Sequence, residues 1–178
     1  LVERRNLGRT DHHGHRWLSG NHRLDTVQAA VLQVRLRHLD AWNSRRRDAA
    51  ARYHAGLSGL AEAGHVRLPG PPGKCLPVFH LFPIRVASNQ VRDALRAYLS
   101  DQDISTGIHY PVPIHRTEAM AGYLLANQDL TGDASAKDDP FPVASSASEC
   151  MISLPIHPHL TRSAQRKVIG AVAAFFAQ

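Results

Sequence analysis

No proline interrupts residues 25–61, and apolar side chains return through that stretch at helical intervals. Leu24, Val27, Val31 and Val34 mark one face, widened by Leu32, Leu36 and Leu39; Trp42, Ala50, Tyr53, Leu57 and Leu60 continue it more sparsely. Spacing of three and four residues places such side chains together on a helix. Asp25 followed by Gln28 resembles a capping box, with a carboxylate as N-cap and an amide three residues on. The pattern therefore predicts one helix over about 25–61. A helix of that length exceeds what one small core needs, so it is expected to span two domains or to pack against another subunit.

Beyond residue 61, proline and glycine punctuate the chain. Residues 68–77 read as a loop by composition. Val78, His80, Phe82, Ile84 and Val86 alternate as in a strand, and Pro83 asks for an edge position or a bulge. Ser88 is placed to cap a helix whose Val91, Ala94, Leu95, Tyr98 and Leu99 share a face. A second strand is predicted over Ile104–His109, a helix over Glu118–Leu125, a surface loop over Asn127–Asp139 and a third strand over Met151–Leu154. Thr161 then caps a final helix that turns Val168, Val172, Phe175 and Phe176 inward. Strands alternating with helices after a long helix predict the α/β class. The expected divisions are a polar, irregular segment at 1–24, the helix at 25–61 and a small α/β domain at 62–178.

The charge is unevenly placed. Residues 1–52 hold 11 Lys/Arg and 5 Asp/Glu, whereas the rest hold 10 of each, so the whole net charge of +6 belongs to the first segment. A local basic excess suits an anionic partner, whether nucleic acid, a phosphorylated cofactor or a nucleotide-linked substrate. Apolar residues at 43% and charged residues at 20% exclude a disordered chain. No window approaches the roughly 18 apolar residues of a membrane span, and Leu1-Val2-Glu3-Arg4-Arg5 has no apolar signal core. A cytoplasmic protein without a membrane partner is expected. Leu1 in place of Met suggests a fragment or an incomplete reading frame. Cys75 and Cys150 fit no metal or redox spacing and read as free thiols.

Three polar clusters invite chemistry. In Gly20-Asn21-His22-Arg23 an amide and a guanidinium stand two residues apart at the helix entrance, where their donors and the helix dipole converge on a phosphate. Taken alone, the pair also fits a solvated helix entrance. Asp11-His12-His13-Gly14-His15 has ligand types that suit zinc or nickel but lacks the His-x-x-x-His helical spacing, so a solvated loop and no metal are expected. His157 and His159, split by Pro158, read as a turn. Arg45-Arg46-Arg47 with Arg35 and Arg37 reads as an exposed helix face. Without interleaved aromatics for base stacking, no nucleic-acid partner is expected.

Five blocks occur in order: Gly20-x-x-Arg-Leu-Asp-Thr-Val-Gln-Ala-Ala-Val-Leu, Arg37-His-Leu-Asp-Ala-Trp-Asn-Ser-Arg-Arg-Arg47, Phe79-His-Leu-Phe82, Thr106-Gly-Ile-His-Tyr-Pro111 and Leu154-Pro-Ile-His-Pro-His-Leu-Thr161. Together they resemble the C-terminal portion of the DegT/StrS family of nucleotide-sugar aminotransferases, pyridoxal-phosphate enzymes of the aspartate aminotransferase fold. The wording is nearest to members acting on 3-keto-6-deoxy dTDP-sugars. The resemblance implies the small C-terminal domain of a fold-type I enzyme, preceded by a long helix and an intersubunit arm. It implies a homodimer that moves an amino group from an amino acid, usually glutamate, to a keto sugar nucleotide. Asn21 then matches an asparagine reaching the cofactor phosphate of the partner subunit, and Arg23 a basic residue at the same intersubunit site. His109 and Tyr110 match the loop lining the sugar-nucleotide pocket, with His115 nearby.

The chain also departs from the pattern. Family members hold the cofactor through a lysine that follows a Ser-Phe pair upstream of the Asn-x-Arg block; here the lysines are Lys74, Lys137 and Lys167, all downstream and none after such a pair. Transamination needs that lysine as covalent anchor and as proton carrier. The expectation is a piece of a longer or split enzyme that is inactive by itself, with no catalytic residue in this chain. A decayed, non-catalytic product and a basic nucleic-acid-binding module are the alternatives. A related dehydratase, with histidine in place of the lysine, is a further possible parent.

Overall fold

In the computed structural model, residues 26–70, 75–126 and 139–178 are described. The expected long helix is present as α1, Thr26–Glu62. Its end is a Schellman turn: the His65 N–H donates to the Leu60 carbonyl (2.9 Å) and the Gly64 N–H to that of Ala61 (3.1 Å). Gly64 sits at φ +78°, a left-handed conformation that a Cβ would strain. The chain divides into two compact units, residues 1–39 and 40–178, and the division falls within α1. In the first unit the described residues are the helical 26–39.

The second unit is built on two short antiparallel strands, β1 (Phe82–Arg85) and β2 (Met151–Leu154), in the register Phe82↔Leu154 to Arg85↔Met151. Single bridges extend the sheet on both sides, Arg67 beside Arg85 and Gly107 beside Ser153. Arg85 exchanges both backbone hydrogen bonds with Arg67, and Ser153 with Gly107. By the two-residue alternation of a strand, Pro83 turns its nitrogen the same way as Arg85, away from β2, where an N–H is not needed. The edge position that Pro83 demands is realised.

Two strand expectations are corrected. The extended run predicted from Val78 begins only at Phe82, because Phe79 takes φ +50° and breaks the alternation. Ile104–His109 is not a strand; it touches the sheet at the single Gly107 bridge.

Helices cover the sheet. In α2 (Asn89–Ser100) the Ser88 hydroxyl accepts from the Val91 N–H at 3.3 Å. In α5 (Arg162–Phe176) the Thr161 hydroxyl accepts from the Ala164 N–H at 3.1 Å. Both caps are the predicted ones. Between them lie α3 (Glu118–Ala126) and α4 (Pro142–Cys150). The core joins Phe82, Ile84, Ile152 and Leu154 from the sheet to Leu95 and Leu99 of α2, Val168 and Val172 of α5, and Tyr53 and Leu57 of α1. Tyr53 lies 4.9 Å from the Phe82 ring and donates its hydroxyl to the Pro155 carbonyl at 2.7 Å. Burial pushes its phenol well above the ordinary tyrosine value, keeping it a neutral donor. Buried Gln165 fastens α5 to α1: its Nε2 donates to the Ala49 carbonyl and its Oε1 accepts from Arg52 Nε, each at 2.6 Å.

Candidate substrate pocket

Residues 109–123 and 141–151 line an open cavity of about 700 Å³. Its floor and walls are mainly apolar, from Val112, Ile114, Met120, Phe141, Ala147 and Met151. Against that background the polar groups are few: His109, Tyr110, His115, Tyr123 and Ser148. An apolar concavity with a small number of placed polar groups is the form that small-molecule sites take.

Each polar side chain has a local reason for its position. His109 follows the Gly107 bridge and folds back over it; a Cβ at residue 107 would collide with the imidazole. His109 Nδ1 is 3.0 Å from the Ser153 hydroxyl, which ties the ring to β2. Tyr110 meets the His109 ring edge-on, with centroids 5.8 Å apart, and is 73% exposed. Pro113 then leads into one 3₁₀ turn, Ile114–Arg116, closed by the Thr117 N–H and hydroxyl on the Ile114 carbonyl. That turn swings His115 inward, to 5.0 Å from the Phe141 ring.

Asp139 organises the side of the cavity next to His115. Its Oδ1 accepts from the Phe141 N–H at 3.0 Å and lies 3.2 Å from His115 Nε2, while Oδ2 accepts from Arg116 Nη2 at 2.8 Å. Hydrogen bonds from the Ser145 hydroxyl and the Phe141 N–H, helped by Arg116, hold the Asp139 carboxyl down at about 2. His115 Nε2 is also 3.1 Å from the Ser145 oxygen. Asp, His and Ser meet here through one ring nitrogen, so this is not a nucleophile–base relay, which needs both.

Ser145 comes from α4, an element that the sequence pattern does not predict. Its Pro-Val-Ala-Ser-Ser-Ala-Ser-Glu-Cys has no apolar stripe. Tertiary contacts make it helical. Pro142 opens it, and Arg92 of α2 donates to the Ser148 (3.1 Å) and Glu149 (2.6 Å) carbonyls, where a cation complements the helix C-terminus.

The structure thus brings together three of the five residues singled out for a site, His109, Tyr110 and His115, on one cavity. Asn21 and Arg23 lie outside the described residues, as do Asp11, His12, His13 and His15. His157 and His159 form the expected turn, the His159 N–H donating to His157 Nδ1 at 3.2 Å. Among the described residues no three His, Cys, Asp or Glu side chains group as a metal site, and no helix is long and apolar enough to cross a membrane. Asp139, Ser145 and Phe141 were missed. The Phe141 and Pro142 pair just after Asp139 was the available signal, since an acid before a proline-started helix can cap a turn.

A family model, the DegT/DnrJ/EryC1/StrS aminotransferase family, matches residues 3–173. The chain belongs to this family. It is 41% identical over 168 residues to the dTDP-3-amino-3,4,6-trideoxy-alpha-D-glucose transaminase of Streptomyces venezuelae, across 94% of this chain and 40% of that enzyme. It is 38% identical to the erythromycin biosynthesis sensory transduction protein EryC1 of Saccharopolyspora erythraea, across 96% and 42% of the two chains. The fold is similar to that of S. venezuelae DesV, solved in complex with a ketimine intermediate, with a TM-score of 0.69 and 40% identity over 85% of this chain and 36% of that one. The chain thus spans about two fifths of the length of the curated relatives. The fold is that of fold-type I aminotransferases over a portion of this size, and DegT/DnrJ/EryC1/StrS family members depend on pyridoxal phosphate.

The described residues do not make a seat for that cofactor on their own. No lysine lines the cavity, and the one described lysine, Lys167 of α5, donates its Nζ to the Gln102 carbonyl at 2.5 Å.

Proposed function

We propose that this chain supplies the sugar-nucleotide pocket of a pyridoxal-phosphate-dependent aminotransferase that moves an amino group, with glutamate as donor, to a keto sugar nucleotide of the dTDP-3-keto-6-deoxyhexose type. The supporting observation is the convergence of His109, Tyr110 and His115 on one apolar-walled cavity. A deoxygenated sugar and a pyrimidine face suit such walls, because an apolar wall leaves no hydrogen-bonding group unpaired against them. His109 and Tyr110 are then placed to donate to the anionic or hydroxyl part of the ligand at the open edge.

In this reading the residues here bind and orient the substrate and exclude water, while the covalent anchor lies in other polypeptide. Asn21 and Arg23 are the proposed cofactor-phosphate ligands, acting across a homodimer interface, and the assembly is cytoplasmic. The cofactor, when bound, supplies the electron sink for moving the amino group. No step is assigned to a residue of this chain.

The test is to incubate the 178-residue chain with pyridoxal phosphate, reduce with borohydride and map the product by mass spectrometry. The proposal expects only scattered, sub-stoichiometric modification. A stoichiometric adduct on one lysine would show a competent anchor in this chain and overturn it.

A further inference from the structure

The polarity of the His115 ring follows from the groups around it. An ionised carboxylate is an acceptor with no proton to give, and Asp139 is held ionised by its partners. The Ser145 oxygen also lies 3.1 Å from His115 Nε2, and a hydroxyl there can accept a hydrogen as well as give one. A lone pair on Nε2 would face the Asp139 oxygen at 3.2 Å and the Ser145 oxygen together. The carboxylate contact requires that Nε2 carry the hydrogen, and the Ser145 hydroxyl then accepts it.

The ring is 90% covered, its side chain being 10% exposed, yet it lines the cavity. Among the described residues Nδ1 has no hydrogen-bond partner. With Nε2 turned to Asp139 and Ser145, Nδ1 is the ring nitrogen left for a ligand in the cavity that His115 lines.

We infer that Asp139 and Ser145 are positioning residues that lock His115 in the Nε2–H tautomer, so that Nδ1 is an acceptor offered to a hydroxyl or imide N–H donor of the ligand. The inference rests on the proposed sugar-nucleotide reading for the identity of that ligand, and on geometry alone for the lock. It gives the apolar cavity a polar selection rule. A ligand with a donor at that point is favoured over an isostere lacking it, since the isostere leaves a buried acceptor unpaired.

The lock is read without ligand, by nitrogen NMR of the ring on the intact chain at mildly alkaline pH, with His115 assigned by its loss in His115→Phe. The wild-type ring should show a protonated Nε2 and an unprotonated Nδ1. Asp139→Asn and Ser145→Ala should each give a mixture of tautomers while the remaining spectrum stays folded. The ligand half uses thymidine 5′-diphosphate as the probe. Binding should shift Nδ1 of His115, weaken about 3- to 10-fold in His115→Phe and stay within about 2-fold in His115→Asn, whose amide oxygen takes the Nδ1 position.

A wild-type ring protonated on Nδ1 overturns the lock, whatever binds. Shifts at His109 and Tyr110 with Nδ1 of His115 unmoved overturn the acceptor role but leave the pocket reading intact. A probe that moves none of the three contradicts the sugar-nucleotide reading and removes the ligand half with it.

Discussion

The two halves of α1 carry the same kind of apolar pattern and meet opposite fates. Val31, Leu32, Val34, Leu36 and Leu39 in the first half are each 43–59% exposed, whereas Ala49, Ala50, Tyr53 and Leu57 in the second are at most 1% exposed. Helical periodicity says which side chains share a face; it does not say whether the surface that covers the face belongs to the same chain. An uncovered row of five large aliphatic side chains is more than a solvated helix needs. It fits a chain that spans only two fifths of its relatives.

Substitutions can test that contrast, and the largest effect belongs to the buried half. Leu57→Ala should cost about 2–5 kcal/mol in urea unfolding, because the removed side chain leaves a cavity among Tyr53, Phe82 and Val172. A loss within about 0.5 kcal/mol would mean that the second half is no better packed than the first. Next comes Gln165→Leu, which strips the Ala49 carbonyl and Arg52 of a buried partner. About 1–3 kcal/mol of destabilisation is expected from the same unfolding curves. In the exposed half, Leu36→Gln with Val31→Gln should change stability by about 0.5 kcal/mol or less and should lower self-association in sedimentation velocity. A large loss of stability there would place a hidden core under that face.

A smaller effect concerns the cavity. Since Asp139 titrates at about 2 in the folded chain, below the roughly 3.9 of an unfolded aspartate, its contribution is fully present above the ordinary value and lost as pH falls through the folded one. His115 and Arg116 signals should therefore hold at about pH 5 and change between about 4 and 2. Asp139→Asn should abolish that step; a step of the same size in the variant would assign it to another group.

Local signals carried most of the fold. The C-terminal end of α1 was legible because the apolar spacing ran out after Leu60, while Asp25, the expected cap of its start, lies outside the described residues; Ser88 and Thr161 marked the starts of α2 and α5 as caps. What was lost depended on distant partners. The α4 segment is Ser-rich and aperiodic, and Arg92, reaching from α2, satisfies its last carbonyls. Ile104–His109 has strand-like residues, but β2 offers it a single bridge.

The site divides the same way. His109, Tyr110 and His115 were found through motif blocks. Asp139 and Ser145 sit in stretches with no pattern of their own and gain meaning only when folded against His115.

The central claim is that the cavity behind His109, Tyr110 and His115 receives a nucleotide-linked sugar. Calorimetric titration of thymidine 5′-diphosphate into the wild-type chain and into Ala144→Trp addresses it most directly, because residue 144 lines the cavity and is itself exposed, so the indole fills the space without disturbing the core. The account predicts saturable binding to the wild type and a loss of about 10-fold or more in the filled variant, with unfolding unchanged. Equal affinity in both chains, or none in the wild type, would contradict it.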